Sequence, residues 1–276
     1  QGATRPVRQL SRQLQARRDG DLSPIAASSA PRELQPLIDS TNQVMLRLQH
    51  LLRHQKRFVR DASHQLRTPL AVLKTQVQSA LRGDVAAHQA LQEISDTVDR
   101  ATQLANQMLA LAKVEQLRQQ SGPPPTRFDD ILRAVALDLS PLIAQRDLDF
   151  GIHTEPATVF AHEWMLRELA RNLLHNAIRH APTGSELTVD LHCSDHQAVL
   201  TLRDHGSGID DELAARLFQP FSAGDVRTGS GLGLAICHEI VQALGGRIAL
   251  TNRIQAGLVT GLDAVVHLPL SPTAAL

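Results

Sequence analysis

Apolar positions step by threes and fours along the first part of the chain and by twos along parts of the remainder, so helices precede a mixed region. Val7, Leu10 and Leu14 form one short helical stripe, which Asp19-Gly20-Asp21 and Ser23-Pro24 end. A second stripe, Leu34, Leu37, Thr41, Val44, Leu48 and Leu51, has the spacing of a coiled-coil seam, with Pro31 where a first helical turn tolerates proline. It continues, shifted in phase, as Phe58, Ala62, Leu66, Leu73, Val77 and Ala80 up to a turn at Gly83-Asp84. Leu91, Ile94, Val98, Ala101, Ala105 and Met108 then mark a return helix. Two long helices with a short connection predict an antiparallel hairpin. Each carries an apolar seam broader than one partner helix covers, which predicts a dimeric four-helix bundle; the alternative is a monomeric hairpin.

Ser121-Gly122-Pro123-Pro124-Pro125 cannot continue a helix and reads as a linker. Beyond it the pattern predicts helices over 129–145, 163–180 and 232–244, and strands over 187–191, 198–203, 247–252 and 264–268. This order suggests an α/β sandwich.

Composition narrows the function. A chain of 276 residues suggests two or three domains, and 3% aromatic residues with no tyrosine imply aliphatic cores. Lys+Arg and Asp+Glu both number 28, so no global positive field points to nucleic acid, and none is expected as a direct partner. Cys193 and Cys237 lie far apart, form no metal-ligand pattern and fit a reducing compartment. No stretch approaches the roughly 20 apolar residues of a membrane span. The chain starts within a helical module, and the expectation is a fragment lacking an upstream part.

Four strings carry chemistry. In Phe58-Val59-Arg60-Asp61-Ala62-Ser63-His64-Gln65-Leu66-Arg67-Thr68-Pro69-Leu70, His64 is two residues from both Ala62 and Leu66. At about 100° per residue this places it opposite the apolar seam. An exposed neutral imidazole is a competent nucleophile, although a lone surface histidine carries no function by itself. Pro69 removes a backbone hydrogen bond inside the helix and predicts a bend. In the second string, Asn172, Asn176 and Arg179 recur at i, i+4 and i+7 and share a helical face. Asparagine is a poor helix former, so two aligned amides require a reason beyond a solvated face. The third, Asp204-His205-Gly206-Ser207-Gly208-Ile209, follows a strand and would let backbone approach a flat ligand, or would simply turn the chain. In the fourth, Gly229-Ser230-Gly231-Leu232-Gly233-Leu234 opens a helix whose first amides favour phosphate. It is neither a dinucleotide-binding fingerprint nor a Walker A loop.

Taken together and in this order, the strings resemble those of sensor histidine kinases of two-component systems. The first resembles the phosphoacceptor box, which implies His64 as the phosphorylated residue. Gln65 stands where that family usually has Glu or Asp, a carboxylate thought to assist proton removal, and Thr68 matches a position that helps to dephosphorylate the partner. The second resembles the asparagine box of the ATPase fold shared by histidine kinases, gyrase, Hsp90 and MutL. This implies Asn176, with Asn172, as Mg²⁺ ligands, and Arg179 and His180 near phosphate. Hydrolysing members carry Glu where Asn172 stands, and an amide is no general base, which favours transfer to a protein nucleophile. The resemblance further implies Asp204 as acceptor of the adenine amino group. Gly206, Gly208, Ile209, Gly229, Gly231, Leu232, Gly233 and Leu234 would lie around ATP, with Phe218 and Arg227 in a lid between the glycine strings.

The fold it implies is multidomain, α and α+β. Residues 1–53 resemble the HAMP signalling linker on Arg5-Pro6, Asp21-Leu22-Ser23-Pro24 and Glu33. Residues 54–118 would form the dimerisation and phosphotransfer hairpin, 119–126 a linker, and 127–276 the catalytic ATP-binding domain. The Asp61–Leu70 string is most similar to the tricarboxylate-sensing branch. Expected partners are a second copy, a response-regulator receiver domain, and a membrane reached through the missing segment. The implied place is the cytoplasmic portion of a bacterial inner-membrane protein, and the implied ligands are ATP and Mg²⁺. Two other functions fit parts of the sequence: a nucleotide-binding pseudokinase scaffold, supported by Gln65, and an ATP-driven conformational machine, opposed by Asn172 and His64.

Overall fold

The computed structural model describes residues 21–25, 34–118, 122–214, 216–221 and 231–271. It divides into two bodies, residues 1–67 and 68–276, with the boundary inside a long helix.

That helix, α1, runs over Gln35–Arg82, and Pro69 lies within it without ending it. In the first body, residues 21–25 lie along α1. The Asn42 amide accepts the Ile25 N–H at 2.7 Å and donates to the Ile25 carbonyl at 3.1 Å. Gln49 Nε2 donates to the Leu22 carbonyl at 2.5 Å, and both Ile25 and Ile38 are buried. Ile38, Asn42 and Gln49 thus face the connector, whereas Leu37, Val44 and Leu48 of the expected seam are exposed in the single chain. A three-four stripe identifies a helix face without stating what covers it. The first expected helical stripe (Val7, Leu10, Leu14) lies outside the described residues.

The second body begins at Thr68. After the turn at Gly83, α2 spans Ala87–Arg118. Its buried residues are Ala90, Thr97, Leu104, Ala110 and Val114, while Leu91 and Val98 of the expected seam are exposed. Ala90, Thr97 and Leu104 are offset by one residue from Leu91, Val98 and Ala105 of the expected stripe, which leaves Leu91 and Val98 outward.

The α/β part starts with strand β1, Pro125–Arg127, paired antiparallel with β3, Thr158–Phe160. The single helix expected over 129–145 is two: α3, Phe128–Asp138, and α4, Ser140–Gln145, because Pro141 restarts a helix at its N-terminal turn. Strand β2, Asp149–Thr154, follows, then β3 and α5, Glu163–His180, as expected. Next come β4, Glu186–Ser194, β5, Gln197–Asp204, and the single turn α6, Asp211–Ala214. Helix α7, Gly233–Ala243, and strands β6, Arg247–Gln255, and β7, Leu258–Pro269, complete the domain. The main sheet has the order β2-β4-β5-β7-β6, with β2 and β4 parallel and the other pairs antiparallel.

Leu187, Val189 and Leu191 of β4 alternate with more exposed residues, and Leu200 and Leu202 of β5 and Val266 and Leu268 of β7 join them in the core. Leu166, Leu169, Leu173, Leu174 and Ala177 of α5 and Ile236 and Ile240 of α7 are buried as well, with α5 resting on β5 and α7 on β6 and β7. A polar clasp seals the entry. Asp129 is buried, and Arg127 holds its carboxylate at 2.8 and 2.5 Å, with Arg133 at 2.8 Å and the Ala157 N–H at 3.2 Å. The Arg127 hydrogen bonds keep that carboxyl well below the usual carboxylate range.

Candidate active site

His64 is exposed on α1, while Ala62 and Leu66 are half-buried, as the helical wheel predicts. Gln65 beside it is half-buried and Thr68, one turn on, is exposed. Because Pro69 has no N–H, the Gln65 carbonyl lacks its usual helical donor.

The candidate nucleotide site lies where α5, the β5 terminus and the start of α7 come together. Asp204 ends β5 and is only 5% exposed. Its Oδ1 accepts the Gly206 N–H at 2.7 Å and the Leu262 N–H at 3.3 Å, and no described residue donates to Oδ2. Burial raises the Asp204 pKa, and those two amides oppose the rise. A buried carboxylate with one oxygen pinned presents the other as an acceptor for a ligand donor.

The glycines stand where neighbouring protein elements approach the backbone closely. A Cβ at Gly206 would sit 2.9 Å from the His180 carbonyl oxygen and 3.0 Å from Asp204 Oδ1. Gly208 has φ +71, and a Cβ there would meet Val259 Cγ1 at 2.5 Å and Asn252 Oδ1 at 2.6 Å. Gly233, the first residue of α7, would bring a Cβ to 3.2 Å from Asn172 Oδ1. Glycines 206, 208 and 233 therefore let loop, strand and helix meet at van der Waals distance.

On α5, Asn172 donates through Nδ2 to the Glu168 carbonyl at 2.9 Å and to Glu168 Oε1 at 2.8 Å. This orients the amide, so Oδ1 faces the start of α7. Asn176, one turn on, is half-buried, and its side chain hydrogen-bonds to no described residue. Two amide oxygens fit Mg²⁺, which takes oxygen ligands and keeps waters and phosphates as the rest of its shell. Among the described residues no cluster of three or more His, Cys, Asp or Glu is placed to hold a metal. Arg179 is half-buried, and its charge adds to burial in lowering the His175 pKa. His180 closes α5, with its carbonyl against Gly206 at the Asp204 end of the site.

Leu232 is wholly buried and acts as a core anchor for the start of α7, whereas Gly231, Gly233 and Leu234 are half-buried. The first-turn amides of α7 have no intrahelical acceptor, an arrangement that suits an anion. Phe218 stacks on His238 of α7 at 5.2 Å between ring centroids. Arg227 and Gly229 lie outside the described residues.

Two features escaped the sequence. Asn252 of β6 accepts the Ile209 N–H at 2.8 Å and donates to the Ile209 carbonyl at 2.7 Å. Arg253 donates to the Asp204 carbonyl at 2.6 Å. Neither belongs to a local motif, so no periodicity or spacing marked them.

Residues 161–272 match the family described as histidine kinase-, DNA gyrase B- and HSP90-like ATPase. Residues 54–117 match the His Kinase A (phospho-acceptor) domain, and 4–50 a sensor protein PhoQ-like HAMP domain. The chain is 31% identical to the sensor protein BasS of Escherichia coli K12, covering 91% of this chain and 69% of that protein. The chain belongs to the sensor histidine kinases.

Other relatives agree. The sensor protein QseC of Salmonella typhi is 32% identical over 95% of this chain and 58% of its own length, so the present chain spans little more than half of that relative. In three dimensions it is similar to the histidine kinase ThkA, solved in complex with the response regulator protein TrrA, at a TM-score of 0.63 and 20% identity over 83% of this chain and 64% of that one. That likeness shows a shared fold: helical modules followed by the α/β ATPase domain. The ATPase-family domain over residues 161–272 implies ATP as its ligand. Among its described residues no helix is long and apolar enough to cross a membrane.

Proposed function

We propose that this chain transfers the γ-phosphate of ATP to His64 and then passes it to an aspartate of a response-regulator receiver domain. One observation carries the reading: an exposed histidine in a phosphoacceptor helix shares a chain with a nucleotide-type site that has Asn172 where hydrolysing relatives of the fold carry Glu. A neutral imidazole nitrogen attacks the γ-phosphorus as the bond to the β,γ-bridging oxygen breaks, and ADP leaves. The opposite ring nitrogen then loses its proton to solvent, since the Gln65 amide can orient the ring but cannot take the proton. In the second step a receiver carboxylate attacks the phosphorus, the N–P bond breaks, and His64 takes a proton back from solvent on its other ring nitrogen to leave as neutral imidazole. The ThkA–TrrA complex supports a receiver domain as partner.

Asp204 would read the adenine amino group, and the first turn of α7 with Arg179 and His180 would face the phosphates. Gly206, Gly208, Ile209, Gly229, Gly231, Gly233 and Leu234 would frame the nucleotide, with Phe218 and Arg227 in the lid. Asn176 and Asn172 would hold Mg²⁺, which neutralises phosphate charge when bound. Thr68 would serve dephosphorylation of the partner. The domains would be a HAMP-like linker (1–53), a dimerising phosphotransfer hairpin (54–118), a linker (119–126) and the catalytic domain (127–276). The whole would form the cytoplasmic portion of a homodimeric bacterial inner-membrane sensor.

Incubation with γ-labelled ATP tests the reaction. The expected product is acid-labile, alkali-stable label on the protein, lost in His64→Gln while nucleotide binding persists. Released phosphate without protein label would indicate a conformational ATPase, and neither product a pseudokinase scaffold.

A further inference from the structure

We propose that Asn252 and Arg253, consecutive on β6 and outside every motif of the sequence, act as positioning residues that set adenine selectivity by bracing the Asp204–Ile209 loop. The inference rests on Asp204 reading the nucleobase, and it concerns how that carboxylate is kept in place.

A loop with glycines at 206 and 208 has little intrinsic stiffness. Selective recognition nevertheless needs its carboxylate held to within a fraction of an ångström. The braces lie at both ends of the loop. At the entry, Arg253 Nη2 donates to the Asp204 carbonyl at 2.6 Å, and Nη1 pairs with Asp263 at 3.0 Å, so the guanidinium is itself fixed. At the exit, the Asn252 amide makes a two-point contact with the Ile209 backbone, at 2.8 Å to its N–H and 2.7 Å to its carbonyl. One donor and one acceptor in a plane are what a single backbone residue requires, and a side-chain amide offers both without any change of protonation.

Neighbouring residues of a flat strand point to opposite faces, yet both reach this loop. The pairing of β6 with β7 is irregular between Arg253 and Ile254, and such a bulge re-aims side chains next to a site. Two glycines complete the fit. A Cβ at Gly261 would occupy the space between the Asp204 carbonyl and the Arg253 guanidinium, and one at Gly208 would strike the Asn252 amide oxygen. The carboxylate is thus fixed at four points: its Oδ1 by two amides, and the ends of its loop by β6.

The test is competition of ATP and GTP against a fluorescent ATP analogue on the full chain, with thermal melting in parallel. Asn252→Leu, which keeps the volume and loses both hydrogen bonds, should weaken ATP about tenfold and GTP less than twofold, so that selectivity falls. Asn252→Asp, which cannot donate to the Ile209 carbonyl, should behave similarly. Arg253→Leu should also lower the ATP-to-GTP preference, and Arg253→Lys, which keeps a donor for the Asp204 carbonyl, should recover part of it. If the Asn252 variants fail to fold, the two Arg253 variants decide the matter, and equal preferences in them overturn the proposal. Equal loss of ATP and GTP, or unchanged ATP affinity in Asn252→Leu while Asp204→Asn weakens ATP, would overturn the brace and leave Asp204 in its role. Unchanged affinity in Asp204→Asn as well would overturn the assignment of Asp204, and the brace with it.

Discussion

At the scale of single residues, Gln65 is the position that departs most sharply from what a phosphoacceptor helix usually carries. Attack by His64 leaves the other ring nitrogen to shed a proton or bear charge, and an amide offers only its dipole. General-base assistance is typically worth ~10²–10⁴-fold, of which an orienting amide already supplies part. Gln65→Glu should therefore speed autophosphorylation roughly 3–30-fold, read as the initial rate of label incorporation at saturating ATP. An unchanged rate would place the slow step outside the chemistry. His175 makes a different prediction. Burial, then the Arg179 charge, lower its folded-state pKa. As pH falls, the unfolded chain takes up the proton first, so the stability is complete above the ordinary histidine range and is lost as pH drops through it. The melting temperature of the wild type should fall more between about pH 7.5 and pH 5.5 than that of His175→Gln. Parallel pH dependences in calorimetry would remove His175 from the account.

At the scale of elements, α5 and α7 carry the site because each presents one apolar face to the sheet and leaves its polar positions at the edge. Leu232 shows how the two demands meet. It lies inside a glycine string that resembles a phosphate loop, yet it is wholly buried. Leu232→Ala should thus act first on stability, costing about 2–5 kcal/mol in urea unfolding, as for other buried leucines. Nucleotide affinity in the folded fraction should change little. A variant of normal stability and weak ATP binding would show that the side chain contacts ligand. The other helix contact of interest is α2 with α7, where Ala110 and Val114 are buried and the Lys113 ammonium lies 4.3 Å from the centre of the Trp164 ring of α5. The C-terminal end of the hairpin and the ATPase domain are therefore packed together in the second body.

At the scale of the whole molecule, aliphatic side chains remain uncovered along both long helices. Leu70, Val77, Leu81 and Leu91 are 58%, 39%, 83% and 66% exposed in the single chain, more than isolated surface leucines require. A four-helix dimer would cover them. Light scattering should give twice the chain mass, and replacing Leu70, Val77 and Leu81 together by Ser should give the mass of one chain with the ATPase domain still folded. A wild type of single-chain mass at micromolar concentration would assign these side chains to another surface.

Much of this was legible in the sequence because it is local. Periods of three and four placed α1, α2 and α5, and the wheel around His64 put it on the exposed face where it is found. The string from Asp204 to Ile209 is legible as a glycine-rich turn after a strand, and the structure has that turn begin at a buried carboxylate. Local pattern was silent where partners are distant. It did not separate α3 from α4, find β2, or tell which stripe of α2 is buried, since the face that a helix covers depends on what packs there. Only the tertiary structure set the amide of Asn172 against Gly233 and brought Asn252 to Ile209 and Arg253 to Asp204 across 43 and 49 residues. Hydrogen bonds spanning such separations leave no period in the chain. The sequence by itself determined which residue types stand at which local spacing, and the fold decided which distant backbone atoms hold them still.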